Sequence, residues 1–221
     1  MKKWLFSHKQ VFWVIYLPLY LALFFLVEKM ITDNYWVSYM PIDDMIPFVP
    51  AFIVGYCMWY PLLFAVGFFL MFADSESFNR YMWTLVIGFT ATLIFCLLFP
   101  NGQDLRPQLP EDGNIFIKII QGIYRKDTNT NVLPSMHVIG AFAAVFAVWD
   151  SPRLHHPLWR ISVIALAILI SISTLFVKQH SLLDVLTGMG VGVILYAIVY
   201  VFIKRRQKKR IPIPSEPPSE S

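Results

Sequence analysis

The stretch LLDVLTGMGVGVILYAIVYVFI, Leu182–Ile203, decides the fold. Its 22 residues hold a single charge, Asp184, near the start. As a helix rising 1.5 Å per residue it would extend about 33 Å, enough to cross the hydrocarbon of a bilayer. Working outward, runs of the same kind occupy Trp159–Val177, Tyr81–Phe99, Phe48–Ala73 and Val11–Val27, with a shorter one at Ser135–Trp149. About six spans follow, and the expected fold class is all-α, a polytopic membrane helical bundle.

Composition agrees. Of 221 residues, 57% are hydrophobic and only 14% charged, with a mean hydropathy of +0.59. A soluble domain carries about 25% charged residues, so a soluble globular class is excluded. The net charge of +4 would suit a nucleic-acid partner if it lay along one face, but Lys and Arg gather at the two ends of the chain, where they act as topology signals and contacts for anionic lipid. No nucleic acid is expected. Cys57 and Cys96 both sit inside apolar runs, which is neither a disulfide framework nor a metal-ligand pattern.

The basic start, Met1 to Gln10, followed by an apolar run resembles a signal peptide. The run is longer than an h-region of about 7 to 15 residues and no small-residue cleavage site follows it, so it reads as a retained first span. With the N-terminus in the cytoplasm, 12 of the 18 basic residues fall on the inner side, among them Lys2, Lys3, Lys9, Arg80, Arg153, Arg160 and the cluster Lys204 to Arg210. The positive-inside rule then puts both termini in the cytoplasm. The expected organisation is one membrane catalytic domain over 1–210 and a disordered, Pro-, Ser- and Glu-rich cytoplasmic tail over 211–221.

Between the third and fourth spans, Pro100 to Pro134 is far longer than the roughly 2 to 8 residues common between bundled helices. Within it, Ile115 to Tyr124 is apolar around Lys118 and Gln121, which suits a short helix in the interface or over a cavity mouth. Gly188, Gly190 and Gly192 in the sixth run, and Gly140 with Ala144 in the fourth, read as devices for close helix packing.

Ionisable groups at the outer ends of spans are costly unless they have a partner or a task. His180 and Asp184, four apart, share one helix face, where a carboxylate can fix the imidazole tautomer and activate the ring. Ser135 is a natural N-cap whose following amides and helix dipole favour an anion, with His137 in the first turn beside it. Arg106 offers a planar fork for phosphate oxygens, and Lys178 adds a second cation. All of these fall on the outer face of a topology derived without them.

In these residues the sequence resembles the type 2 phosphatidic acid phosphatase superfamily, six-span lipid phosphatases and phosphotransferases. That family has three motifs in order: Lys, six residues, Arg-Pro; then Pro-Ser-Gly-His; then Ser-Arg, five residues, His, three residues, Asp. Retained here are Arg106-Pro107, Pro134-Ser135-Met136-His137, and Ser173 with His180 and Asp184. The resemblance runs from the third span to the sixth. Phe99 stands in the position of the first-motif lysine, Thr174 in that of the third-motif arginine, and Met136 in that of the second-motif glycine. Two cations are thereby missing, for one of which Lys178 is a substitute. The remaining His, His and Asp set resembles the reduced signature of the inositol phosphorylceramide and sphingomyelin synthase branches, transferases of phosphodiesters that need fewer cations.

The resemblance implies that His180 is the nucleophile toward phosphorus, Asp184 orients it, and His137 is the general acid and base. It further implies that Arg106, Ser135 and nearby amides hold the phosphoryl oxygens. The scheme needs no metal and no cofactor. Asp104, Glu111, Asp112 and Asp127 follow no recognised carboxylate loop for a divalent ion. The implied activity is a lipid phosphate phosphatase acting on a phosphomonoester or diphosphate lipid at the extracytoplasmic face, with phospho-head-group transfer between lipids as the alternative. Expected partners are the lipid phosphate substrate and the bilayer, and the oligomeric state stays open.

Other readings have less support. A Ser135–His180–Asp184 hydrolase triad lacks the Gly-x-Ser-x-Gly elbow, and a transporter or scaffold would place ionisable groups at mid-membrane. His8, His155 and His156 fall on the opposite side of the membrane from the motifs. Trp4, Trp36, Tyr39, Trp83 and Trp159 read as an interfacial belt. Short loops and the lack of eukaryotic targeting signals point to a bacterial plasma membrane.

Overall fold

The computed structural model describes residues 13, 15–31 and 34–205. The basic start with His8 and Trp4, the beginning of the first span, the basic residues from Arg206 onward and the tail 211–221 lie outside the described residues. The described chain forms helices α1 Tyr16–Met30, α2 Pro50–Ala73, α3 Ser75–Leu98, α4 Ile115–Lys126, α5 Met136–Asp150, α6 Pro157–Phe176 and α7 Leu182–Ile203. Two short strands, β1 Trp36–Val37 and β2 Asn101–Gly102, pair in parallel. The all-α membrane bundle expected from the sequence is what forms.

Four helices, α2, α3, α6 and α7, are long and apolar enough to cross a bilayer by themselves. Their surfaces are inside-out relative to a soluble protein: Phe64, Phe68 and Phe72 on α2 are 72%, 54% and 54% exposed, and Ile161 and Ile168 on α6 are 65% and 54% exposed. Water would not tolerate such a continuous apolar surface; lipid does.

Local chemistry sets the ends of the helices. Only Asp74 separates α2 from α3, and its carboxylate accepts from the Ser77 amide at 3.1 Å, so α3 begins six residues before the apolar run at Tyr81. The sequence hides this start because Ser75, Glu76, Asn79 and Arg80 are polar yet helical. Asn114 caps α4 through Ile117 N, while Arg125 and Lys126 in its last turn complement the dipole. Ser181 caps α7 in a reciprocal box with Asp184.

Helix α5 is the hub, with α2, α3, α6 and α7 around it. Its inner positions are small: Gly140, Ala141, Ala143, Ala144 and Ala147 are all buried, which lets neighbouring backbones come close. A Cβ on Gly140 would stand 2.7 Å from Trp59 Nε1, and one on Gly188 would stand 2.9 Å from the Ser135 carbonyl oxygen. The packing reading of these glycines therefore has direct partners. With 15 residues α5 is about 22 Å long, shorter than the hydrocarbon is thick.

The two ends of the bundle are built differently. At the end remote from the long loop, the Asp150 side chain is buried and its carboxylate accepts from Arg80 Nε at 2.6 Å, from Ser77 Oγ at 3.0 Å and from Lys204 Nζ at 2.5 Å, and Ser151 Oγ donates to Asp74 at 2.7 Å. These bonds staple α3, α5 and α7 together. At the loop end, β1 and β2 tie the α1–α2 connection to the long loop, and Glu28 clasps the same loop to α1 by accepting from Thr128 N at 2.5 Å and Thr128 Oγ1 at 2.8 Å.

Candidate active site

The turn between α6 and α7 carries the site. Lys178 adopts φ 53°, a left-handed conformation that reverses the chain after a helix. The Thr174 carbonyl accepts from both Gln179 N and His180 N at 2.9 and 3.2 Å, and Gln103 Nε2 donates to the Lys178 carbonyl at 2.9 Å. Thr174, which stands where the resemblance expects arginine, is buried and spends its hydroxyl on the Ser171 carbonyl. It shapes the turn rather than carrying charge.

From that turn His180 reaches two partners. Its Nδ1 lies 3.2 Å from Asp184 Oδ2, and its Nε2 lies 3.2 Å from His137 Nδ1. A carboxylate only accepts, so His180 donates from Nδ1 and keeps a lone pair on Nε2, toward which His137 Nδ1–H points. Asp184 is fully buried and held on every side: Ser181 N donates to Oδ2 at 2.9 Å, and the Ser38 hydroxyl makes a short bond to Oδ1 while lying 2.9 Å from Ser181 Oγ. The His137 ring packs against Tyr56 and Trp59, with centroids 4.5 and 4.8 Å apart, and its Nε2 is buried without a hydrogen-bond partner.

Both imidazoles form part of the wall of a cavity of about 350 Å³. Tyr20, Phe24, Tyr56 and Trp59 make the apolar body, and Asp127, Asn131 and Gln179 add polar groups. Helix α4 leans over it with Ile119, Gly122 and Ile123, which is the role the sequence suggested for this segment. Leu21, Phe25 and Tyr60, also in the wall, are 48%, 47% and 61% exposed, so the cavity opens sideways between α1 and α2 toward the lipid-facing surface.

The structure thus brings His137, His180 and Asp184 into one hydrogen-bonded chain. It does not bring the other three sequence candidates into the cavity wall. Ser135 is buried and caps α5, its Oγ accepting from Val138 N at 3.5 Å and its own amide donating to the Asp184 carbonyl at 3.0 Å. Lys178 turns away, its Nζ donating to the Asp43 carbonyl at 2.9 Å; the left-handed backbone that presents His180 aims the neighbouring side chain outward. Arg106 sits one layer behind the wall. Its guanidinium donates to Thr128 O at 2.7 Å, to Tyr124 O at 3.4 Å and, in a short bond, to Gln179 Oε1, and it lies 4.3 Å from the Tyr124 ring centroid.

Carboxyl groups the sequence left unpaired surround that arginine. Asp127 accepts from Tyr56 OH at 3.2 Å, and burial raises its pKa, against the pull of Arg106 and His180. Burial also lowers the Arg106 pKa, opposed chiefly by Asp127. Lys126 is the one Lys or Arg in the cavity wall among the described residues, and it lies exposed at the mouth. Among the described residues no cluster of three or more His, Cys, Asp or Glu is placed to hold a metal ion.

Sequence reasoning missed Ser38, Gln179, Glu28 and the aromatic wall of Tyr56 and Trp59. Only Gln179 carried a signal, as the immediate neighbour of His180. The rest approach from segments whose sequence is merely apolar or loop-like.

Compared with known protein families, residues 103–208 match the model of the PAP2 superfamily. The match covers Arg106, both histidines and Asp184. Neither the curated proteins nor the solved structures contain a match to this chain.

Proposed function

Because residues 103–208 belong to the PAP2 superfamily, a group of phosphatases and phosphotransferases, we propose that this integral membrane protein transfers the phosphoryl group of a lipid phosphate ester through a phosphohistidine on His180. The observation that carries the reading is the Asp184–His180–His137 chain, with both rings in the wall of a cavity that opens toward lipid.

In this reaction the His180 Nε2 lone pair attacks phosphorus and a P–N bond forms. The P–O bond to the leaving group breaks, and His137, protonated in the loaded site, gives a proton to that oxygen. Once phosphorus takes the lone pair that His137 Nδ1–H faces, that proton no longer has His180 as its acceptor and is free to be donated. An acceptor hydroxyl then returns its proton to His137, its oxygen attacks phosphorus, and the P–N bond breaks to regenerate His180. Asp184 stabilises the positive charge that develops on the His180 ring, and Ser38 and Ser181 hold its carboxylate still.

With water as acceptor the protein is a lipid phosphate phosphatase on a monoester or diphosphate, at the extracytoplasmic face. A second reading, transfer of a phospho-head group to a lipid alcohol, is favoured by the charge of the site. Arg106 faces Asp127 and lies near Glu28, so little positive charge remains for a dianionic monoester, whereas a phosphodiester carries one charge fewer.

The test is a rapid quench with radiolabelled phosphatidate, isoprenyl phosphate and a phosphodiester lipid, with EDTA present. An alkali-stable, acid-labile protein phosphate, absent from His180→Ala, is the expected result. Its absence with every substrate, or its persistence in the variant, would falsify the reading. Free phosphate or a new phosphodiester product distinguishes the two acceptors.

A further inference from the structure

Resting on the phosphohistidine reading, we infer that the side-chain amide of Gln179 is a direct ligand of the phosphoryl oxygens, and that Arg106 acts through it as a positioning residue. Gln179 is 3% exposed, stands in the cavity wall beside His180, and its Nε2 is buried with no hydrogen-bond partner. A buried amide donor left bare costs about 1 to 3 kcal/mol, so a position that keeps one has a reason in what fills the cavity.

The orientation of the amide is fixed. The two ends of a glutamine amide have the same shape and differ only in hydrogen bonding. Here the Arg106 guanidinium, which can only donate, takes Oε1. That bond forces the NH₂ to the other side. The backbone is held as firmly, because Gln179 N donates to the Thr174 carbonyl and the preceding carbonyl accepts from Gln103 Nε2. The two terminal nitrogens of Arg106 donate to the Thr128 and Tyr124 carbonyls and to Gln179; its Nε is buried without a partner, but the residue is not part of the cavity wall.

The rest of the molecule offers weaker candidates. A second cavity of about 380 Å³, lined by Phe142, Phe146, Ile168 and Met189 among others, is apolar but for Ser171, and nothing indicates its occupant. The buried charges around Asp150 are paired with one another. Trp59 Nε1 is also without a partner, but it faces Gly140 of α5.

A neutral amide stabilises charge as it develops on the phosphoryl oxygens without holding a product anion by full ion pairing.

Gln179→Glu is the decisive variant. It keeps the oxygen that Arg106 binds, so the fold is retained or strengthened, but it removes the Nε2 donor and adds a negative charge. Phosphoryl transfer, measured as kcat/KM on whichever lipid phosphate the wild type uses, should fall by about 100-fold or more, with an unchanged or higher melting temperature in detergent. Gln179→Ala should fall by a similar factor. A double-mutant cycle separates the roles. Arg106→Lys should cost about 10-fold or more in the wild-type background and little in the Gln179→Ala background, because its effect passes through the amide. Wild-type rates in Gln179→Glu, with His180→Ala inactive, would overturn the inference and leave the phosphohistidine reading standing. So would an equal Arg106→Lys loss in both backgrounds, which would make Arg106 the ligand. Loss of the phosphoenzyme reading would show instead as failure of the wild type to label His180.

Discussion

Buried charge is handled in opposite ways at the two ends of the bundle. At the end remote from the long loop, both oxygens of the Asp150 carboxylate are met by cations and a hydroxyl from α3 and α7. At the loop end, Asp184 orients His180, His180 meets His137, and the chain stops at a buried nitrogen with no partner, beside an amide whose donor is also bare. Breaking a closed network costs stability because it strands a buried charge. A network with open ends keeps hydrogen-bonding capacity that the fold itself does not use. Both ends bury a carboxylate, so the distinguishing feature is the unspent hydrogen-bonding capacity of residues that line a cavity.

The comparison would break most visibly at His180. His180→Ala should lose at least about 10⁴-fold in turnover while melting within a few degrees of wild type; a large loss of stability with activity retained would make the loop end structural too. Asp150→Ala should do the reverse. It removes the buried carboxylate that Arg80 and Lys204 share and should cost about 3 to 5 kcal/mol in unfolding free energy, with kcat of the folded fraction unchanged. A drop in kcat at constant stability would show that the two ends are coupled.

Ser38→Ala sharpens the contrast within the site itself. Removing a donor from the Asp184 carboxylate should lower kcat by about 10-fold, and because Ser38 lies behind Asp184 rather than in the cavity wall, KM should stay constant. A raised KM with unchanged kcat would assign Ser38 to substrate binding. Asp127→Asn carries the smallest effect and concerns stability against pH. Burial raises the folded-state pKa of Asp127, so the folded protein binds this proton more tightly than the unfolded chain. The stabilisation is complete below the ordinary Asp value of about 3.9 and is lost as pH rises through the raised one. Melting temperature measured across that range should decline less in Asp127→Asn than in wild type; equal slopes would mean that Asp127 ionises normally.

Much of this was legible in the sequence, for identifiable reasons. Spans are read from apolar length, and the boundaries that slipped were those, such as Ser75 to Arg80, where a helix continues through polar residues beyond its apolar part. His180 and Asp184 were readable because a helix forces residues four apart onto one face. Ser135 was readable as a cap, and a cap is what it is. Arg106 and Lys178 have the right chemistry for phosphate, but which way a side chain points from a loop depends on the carbonyls around it. Lys178 finds that of Asp43, and Arg106 finds those of Thr128 and Tyr124.

The sequence by itself determined that the chain lies in a membrane, that its helices pack through small residues, and that one histidine has a carboxylate one turn away. These properties arise from neighbours along the chain, whose geometry the helix supplies. Only the tertiary structure decided that His137 meets His180, that Ser38 reaches Asp184 across 146 residues of sequence, and that Gln179 rather than Arg106 stands in the cavity wall. Those contacts join segments whose spacing along the chain fixes no distance in space, and packing around the short helix α5 sets them.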